Sequence, residues 1–200
     1  MNPVWTRRAL TAFLLAVLVI CGMLLYRLWM ERVPQATVTG EALVGGPFEL
    51  TDHNGNKVTD QTYRGRMMLI YFGFTYCPDA CPTALGVMSA ALDKLDMAAD
   101  RVVPILITVD PERDTPQVLK DYVSNFHPAM VGLTGTPEQI AQVAKAYRVY
   151  YQRAPGATAE DYLMDHTLMI YLMNGEGKFV KHFSPEVTPD QIADEIRQHL

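Results

Sequence analysis

Met67-Met68-Leu69-Ile70-Tyr71-Phe72-Gly73-Phe74-Thr75-Tyr76-Cys77-Pro78-Asp79-Ala80-Cys81-Pro82 carries an unbroken apolar run straight into a pair of cysteines, each followed by proline. Residues 67–72 are apolar on both alternating faces, the pattern of a strand covered on both sides. Beyond the cysteines, Leu85, Met88, Leu92 and Leu95 recur at three, four and three, which is one face of a helix. The stretch therefore predicts a buried strand, a dithiol and a helix in immediate succession. In open α/β sheets ligand chemistry gathers beyond the carboxyl ends of the strands, so Cys77 and Cys81 fall where a site is expected.

Outward from this unit the pattern repeats. Ile105–Val109, interrupted only by Thr108, and Leu168–Leu172 are further apolar runs. Val118, Tyr122 and Phe126 predict a second helix, Ile140, Val143, Ala144 and Tyr147 a third, and Ile192, Ile196 and Leu200 a fourth. Thr115-Pro116, Thr136-Pro137 and Thr188-Pro189 each place a capping hydroxyl before a proline at the first helical position. Gln139 and Gln191 complete capping boxes in the last two. Asn54-Gly55 joins residues 48–50 to 57–58, and Asn174-Gly175-Glu176-Gly177 joins 168–173 to 179–183, as hairpins. The order is hairpin, β, α, β, α, short β, α, β-hairpin, α. Such alternation predicts an α/β fold, a central mixed sheet flanked by helices, in the thioredoxin-like arrangement.

The chain has 200 residues, a formal charge of -5 and three cysteines. No basic stripe is present, which argues against nucleic acid as a partner. Residues 9–30 are apolar apart from Arg27, long enough for a helix spanning a membrane, which needs ~20 residues. Arg7 and Arg8 precede this run and favour a cytoplasmic N-terminus. No small-residue cleavage site follows it, and Ile20 before Cys21 does not suit a lipoprotein signal. The expected organisation is a cytoplasmic N-terminus at 1–8, a single transmembrane anchor at 9–30, a tether at 31–46, and a globular domain at 47–200. That domain would lie in the periplasm or an equivalent extracytoplasmic space.

Cys77 and Cys81 are four apart on a helical turn, with Cβ atoms ~5–6 Å from each other. The spacing permits a disulfide and equally permits two sulfurs on one metal. A helix N-terminus lowers thiol pKa and favours the thiolate that both chemistries need. Two thiolates make a soft site, suited to copper(I) or zinc. Among the histidines, His53, His127, His182 and His199 fall at turns, chain ends or a terminal strand. His166 lies in a loop directly before a buried strand, but spacing alone does not bring it to the cysteines. Asp110 and Asp114, after the second buried strand, read either as acids of a proline turn or as groups for partner docking and local electrostatics.

Three blocks in order, Gly73–Pro82, Val109–Thr115 and Asp165-His166-Thr167, resemble the Sco/SenC copper chaperones that assist cytochrome c oxidase assembly. The resemblance runs from about Gly46 to Leu200. It implies a thioredoxin-like fold with copper(I) or copper(II) held by Cys77, Cys81 and His166. It also implies, as partner, the copper-site subunit of the oxidase, whose dinuclear site would receive copper or have its cysteines reduced. A periplasmic copper chaperone or thiol reductase would be a further partner. Asp165, beside the histidine, is expected to orient the imidazole. Ala80 departs from the bulkier aliphatic common there. The rival reading is a membrane-anchored thiol–disulfide oxidoreductase, in which Cys77 attacks and Cys81 resolves. A peroxiredoxin-like site is disfavoured, since Phe74 stands where that chemistry needs threonine.

Overall fold

The computed structural model describes residues 15, 17–24, 44–155 and 161–200. The chain divides into two compact units, Met1–Glu41 and Ala42–Leu200. In the first, residues 17–24 are helical, and Leu18, Ile20 and Met23 are exposed. Among the described residues no helix is long and apolar enough to cross a membrane. The expected anchor at 9–30 and tether at 31–46 fall largely outside the described residues.

In the second unit the first two of the three apolar runs become the central strands. β3 (Met67–Gly73) and β4 (Val102–Thr108) are buried at every position and pair in parallel, Met67 with Val102 through Gly73 with Thr108. Around them lie β1 (Glu49–Asp52), β2 (Lys57–Thr59), β5 (Val131–Thr134), β8 (Ile170–Met173) and β9 (Phe179–Phe183). The sheet order is β2-β1-β5-β4-β3-β8-β9. Pairing is parallel across β3–β4–β5 and antiparallel at β1–β5 and β3–β8, so the sheet is mixed as expected. Pro104 sits in β4 just before its ladder with β5 begins at Ile105, a place where a strand tolerates the missing N–H.

Four helices follow the strands: α1 (Ala80–Asp93), α2 (Pro116–Val123), α3 (Pro137–Ala146) and α4 (Pro189–His199). α1 packs on α4, and α2 lies against β5. Gly132 in β5 leaves room for Leu119 and Val123 of α2, as Gly73 in β3 does for Cys81 of α1. Successive right-handed crossovers put both helices on the same face of the sheet. Phe72 points the other way, onto Tyr147 at the end of α3 and onto Tyr171. Helices therefore cover both faces.

Thr115, Thr136 and Thr188 all serve as N-caps, each accepting a backbone N–H, and both predicted capping boxes form. Two expectations change. α2 buries Leu119 and Val123 and leaves Val118 exposed, because Gly132 of β5 makes room for the former pair; the stripe expected through Phe126 also runs past the end of the helix at Val123. The last buried run enters the sheet only at Ile170, and Leu168 is exposed.

One element was not anticipated. α3 closes with Arg148 in the left-handed region at φ 57, Val149 N–H reaching back to the Ala144 carbonyl at 2.8 Å. This Schellman closure turns the chain into β6 (Tyr151–Arg153), which pairs with β7 (Met164–His166). The two form a separate two-stranded sheet, so His166 sits on a ribbon rather than in a loop.

Candidate metal centre

β3 ends at Gly73, whose carbonyl accepts the Val109 N–H, and residues 74–79 then loop into α1. The first turn of a helix leaves backbone N–H groups without intrahelical partners. One of them, on Cys81, points at the Cys77 sulfur 3.3 Å away, so this sulfur acts as a cap. Cys77 is half-buried; Cys81, one turn on, is fully buried beneath β3. A Cβ at position 73 would lie 2.8 Å from the Cys81 sulfur, so glycine there makes room for it. Both thiols are free.

The hydrogen bond from the Cys81 thiol, joined by the backbone N–H groups of Cys81 and Asp79, lowers the Cys77 pKa to about 4 against the opposing effect of burial. The same bond, with burial second, pushes the Cys81 thiol up. The resting pair is thus one thiolate and one thiol that donates to it.

His166 arrives from the end of β7. Its Nδ1 is 3.0 Å from the Thr167 carbonyl oxygen, which only accepts, so the neutral ring carries its proton there. Nε2 is left with its lone pair facing the Cys81 sulfur at 3.6 Å. Tyr71 and Phe74 pack edge-on against the ring, with centroids 5.9 and 5.8 Å away. The two sulfurs and a histidine nitrogen lie within 4.8 Å of one another. Two soft sulfurs and an imidazole nitrogen with a bare lone pair fit copper or zinc.

The acidic residues take other places. Asp165 is exposed and pairs across the ribbon with Gln152, so strand alternation sends it away from the His166 side. The Thr167 carbonyl holds the position at Nδ1 that was expected of Asp165. Asp110 and Asp114 are buried, which removes them from any docking surface. Asp114 accepts from Thr75 N–H at 3.0 Å, Thr75 Oγ1 at 2.6 Å and Thr108 Oγ1 at 2.5 Å, fixing the chain two residues before Cys77. Burial raises its pKa above the ordinary carboxylate value. Asp110 pairs with the Arg113 guanidinium and accepts from the Tyr162 hydroxyl at 2.7 Å.

Of the other histidines, His53 is half-buried rather than exposed, its Nδ1 accepting from Gly132 N–H at 3.1 Å. His182 and His199 are exposed. Sequence reading overlooked Tyr71, which looked like ordinary core, and Tyr162, which stands outside every motif. Gly73, Thr75, Arg113 and Thr167 lay inside the quoted blocks without assigned roles.

A dithiol at a strand–helix junction of a thioredoxin-like sheet, completed by a histidine from a side ribbon, defines a thioredoxin-like domain with a mixed sulfur–nitrogen donor set. The sequence profile described as SCO1/SenC matches residues 36–200, and the chain belongs to that family. It is 45% identical over 163 residues to the human Protein SCO1 homolog, mitochondrial, covering 80% of this chain and 54% of that protein. The chain thus spans about half the length of that curated relative. It is 39% identical to the SCO2-like protein of Rickettsia felis, covering 86% of this chain and 88% of the other. Among solved structures, Bradyrhizobium japonicum ScoI with copper bound superposes with a TM-score of 0.73 at 48% identity, covering 78% of this chain and 99% of that one.

Proposed function

We propose that the chain is a copper chaperone for cytochrome c oxidase assembly, carrying one copper ion as cargo on Cys77, Cys81 and His166. The observation that carries this reading is the convergence of two sulfurs and a bare imidazole nitrogen within 4.8 Å. A relative of the same family, at 48% identity, is a protein with copper bound. Cys77 offers a ready thiolate, whereas Cys81 must give up its proton as the metal enters. His166 presents Nε2, the ring nitrogen that the Thr167 carbonyl leaves free. Two sulfurs and one nitrogen make a three-coordinate set for copper(I), open to a fourth donor from a recipient protein. The recipient proposed is the copper-site subunit of the oxidase, with a second extracytoplasmic copper chaperone as the source. Residues 9–30 are proposed as a single-span anchor that keeps the domain outside the cytoplasm, supported by the long apolar run, interrupted only by Arg27, behind Arg7 and Arg8.

The unequal burial of the two cysteines favours a second activity at the same site, reduction of a partner's disulfide. The half-buried Cys77 thiolate, the more accessible of the two sulfurs, attacks one partner sulfur, the partner S–S bond breaks, and the leaving thiolate takes up a proton. Cys81 then loses its proton and attacks the Cys77 sulfur, releasing the partner's second thiol. This domain ends as the disulfide and the partner as the dithiol. The disulfide cannot hold copper through thiolates, so reduction and delivery would be successive uses of one pair.

The test is anaerobic copper(I) titration of the reduced protein and of His166→Ala, with a competing chelator and X-ray absorption. One ion bound by two sulfurs and one nitrogen, the nitrogen lost in the variant, is the expected result. Binding indifferent to His166 would leave Cys77 and Cys81 as a redox pair and put disulfide reduction first.

A further inference from the structure

His166 stands on a ribbon that makes no ladder with the main sheet. A two-stranded ribbon is barely stable by itself, so something outside it must fix the histidine over the cysteines. The contacts converge on Tyr162, two residues before β7 and only 3% exposed. Its hydroxyl donates to buried Asp110. Its ring lies between two guanidinium groups, Arg113 at 3.6 Å and Arg153 at 4.1 Å. Arg153, from β6, also pairs with Glu112. Both strands of the ribbon are thereby tied to the short loop that follows β4. The same loop, through Asp114, grips Thr75 and hence the approach to Cys77.

We propose that Tyr162, clasped by Arg113 and Asp110, is a positioning latch that holds His166 against the cysteine pair. One loop thus sets the separation of the two ligand-bearing segments. Nη1 and Nη2 of Arg113 are buried without hydrogen-bond partners, and Tyr76 and Phe74 complete the aromatic surround of its guanidinium at 4.8 and 5.9 Å. Lifting the ribbon returns those N–H groups to water, which offsets part of the lost stacking.

The inference about copper rests on the chaperone reading; the inference about His166 placement does not, and the test separates them. In the reduced, metal-free full chain, the His166 imidazole resonance is followed by NMR, assigned with His166→Ala. Tyr162→Ala is expected to move it toward the position of free histidine and to strip exchange protection from the β6–β7 amides, leaving β3 and β4 protected. Tyr162→Phe, which keeps the ring and loses only the hydroxyl, is expected to fall between, as is Arg113→Lys. An unmoved His166 resonance in Tyr162→Phe and Tyr162→Ala overturns the latch whatever copper does.

With copper(I), Tyr162→Ala should weaken retention about tenfold, while Tyr162→Ala with His166→Ala should be no weaker than His166→Ala alone. Additive losses would mean that Tyr162 does not act through His166. Copper binding indifferent to His166 in the wild type would instead defeat the chaperone reading, and the metal-free result would still decide the latch.

Discussion

At the scale of single residues, the site is built from small fixed choices. Gly73 is one: a methyl group there would stand 2.8 Å from the Cys81 sulfur and 3.0 Å from the Tyr71 ring. Gly73→Ala should therefore displace the sulfur, lower the thermal midpoint by overpacking worth ~1–3 kcal/mol, and weaken copper(I) retention in a chelator competition. Unchanged retention would mean that the sulfur has another place to go. Cys77 supports a second expectation. With its thiol pKa near 4, metal-free Cys77 should react with iodoacetamide at a rate that is flat from about pH 8 to about pH 5. An ordinary thiol, with a pKa of ~8.5, would slow about tenfold per unit over that range. A rate that falls in this ordinary way would show that the Cys81 hydrogen bond does not hold the thiolate.

Among the elements, helix starts are the most securely specified. Thr136 and Thr188 each hold a capping box, so Thr136→Ala and Thr188→Ala should each cost about 1 kcal/mol in urea unfolding, adding when combined and leaving copper affinity untouched. These caps were legible because hydroxyl, proline and glutamine act within four residues of one another. The buried strands β3 and β4 were legible for a similar reason, their apolar runs having few other ways to be buried. α2 was harder. Val118 with Tyr122, and Leu119 with Val123, repeat at the same interval, and only the shape of β5 around Gly132 selects the second pair. The β6–β7 ribbon was not legible at all. Its strands have three residues each, with Gln152, Arg153 and Asp165 among them, so they carry no apolar alternation. Their order comes from Tyr162 and the Asp110 loop, a tertiary arrangement that no local window contains. The dithiol could accordingly be read from spacing, but its histidine could be assigned only through likeness to a family. Asp165 adjoins His166 in the chain but not in space, because a strand sends neighbours to opposite faces.

For the molecule as a whole, the loop after β4 is where stability and the site meet. Asp114 is fully buried, and burial raises its pKa. Raised folded-state pKa means that the folded protein binds this proton more tightly than the unfolded chain does. Ionising Asp114 therefore removes stability as pH rises from 3.8, its ordinary value, through the raised one. Asp114→Asn can accept from Thr75 N–H and Thr108 through its amide oxygen and has no such ionisation. The stability difference between variant and wild type should thus grow in the variant's favour across that window and then level off. Urea denaturation at a series of acid pH values measures it, and a difference independent of pH would place the ionised carboxylate as no costlier in the fold than outside it.

His166 lies 85 positions after Cys81 in the chain, and that distance carries a last consequence. An unfolded chain offers an incoming ion the two neighbouring sulfurs but no imidazole at a defined place. Nitrogen in the coordination sphere is then a signature of tertiary structure, and a linear two-sulfur ion marks a polypeptide that met its metal too early. The history of a single molecule, whether it was shaped before it was charged with its cargo, is written in the spectrum of the ion it carries.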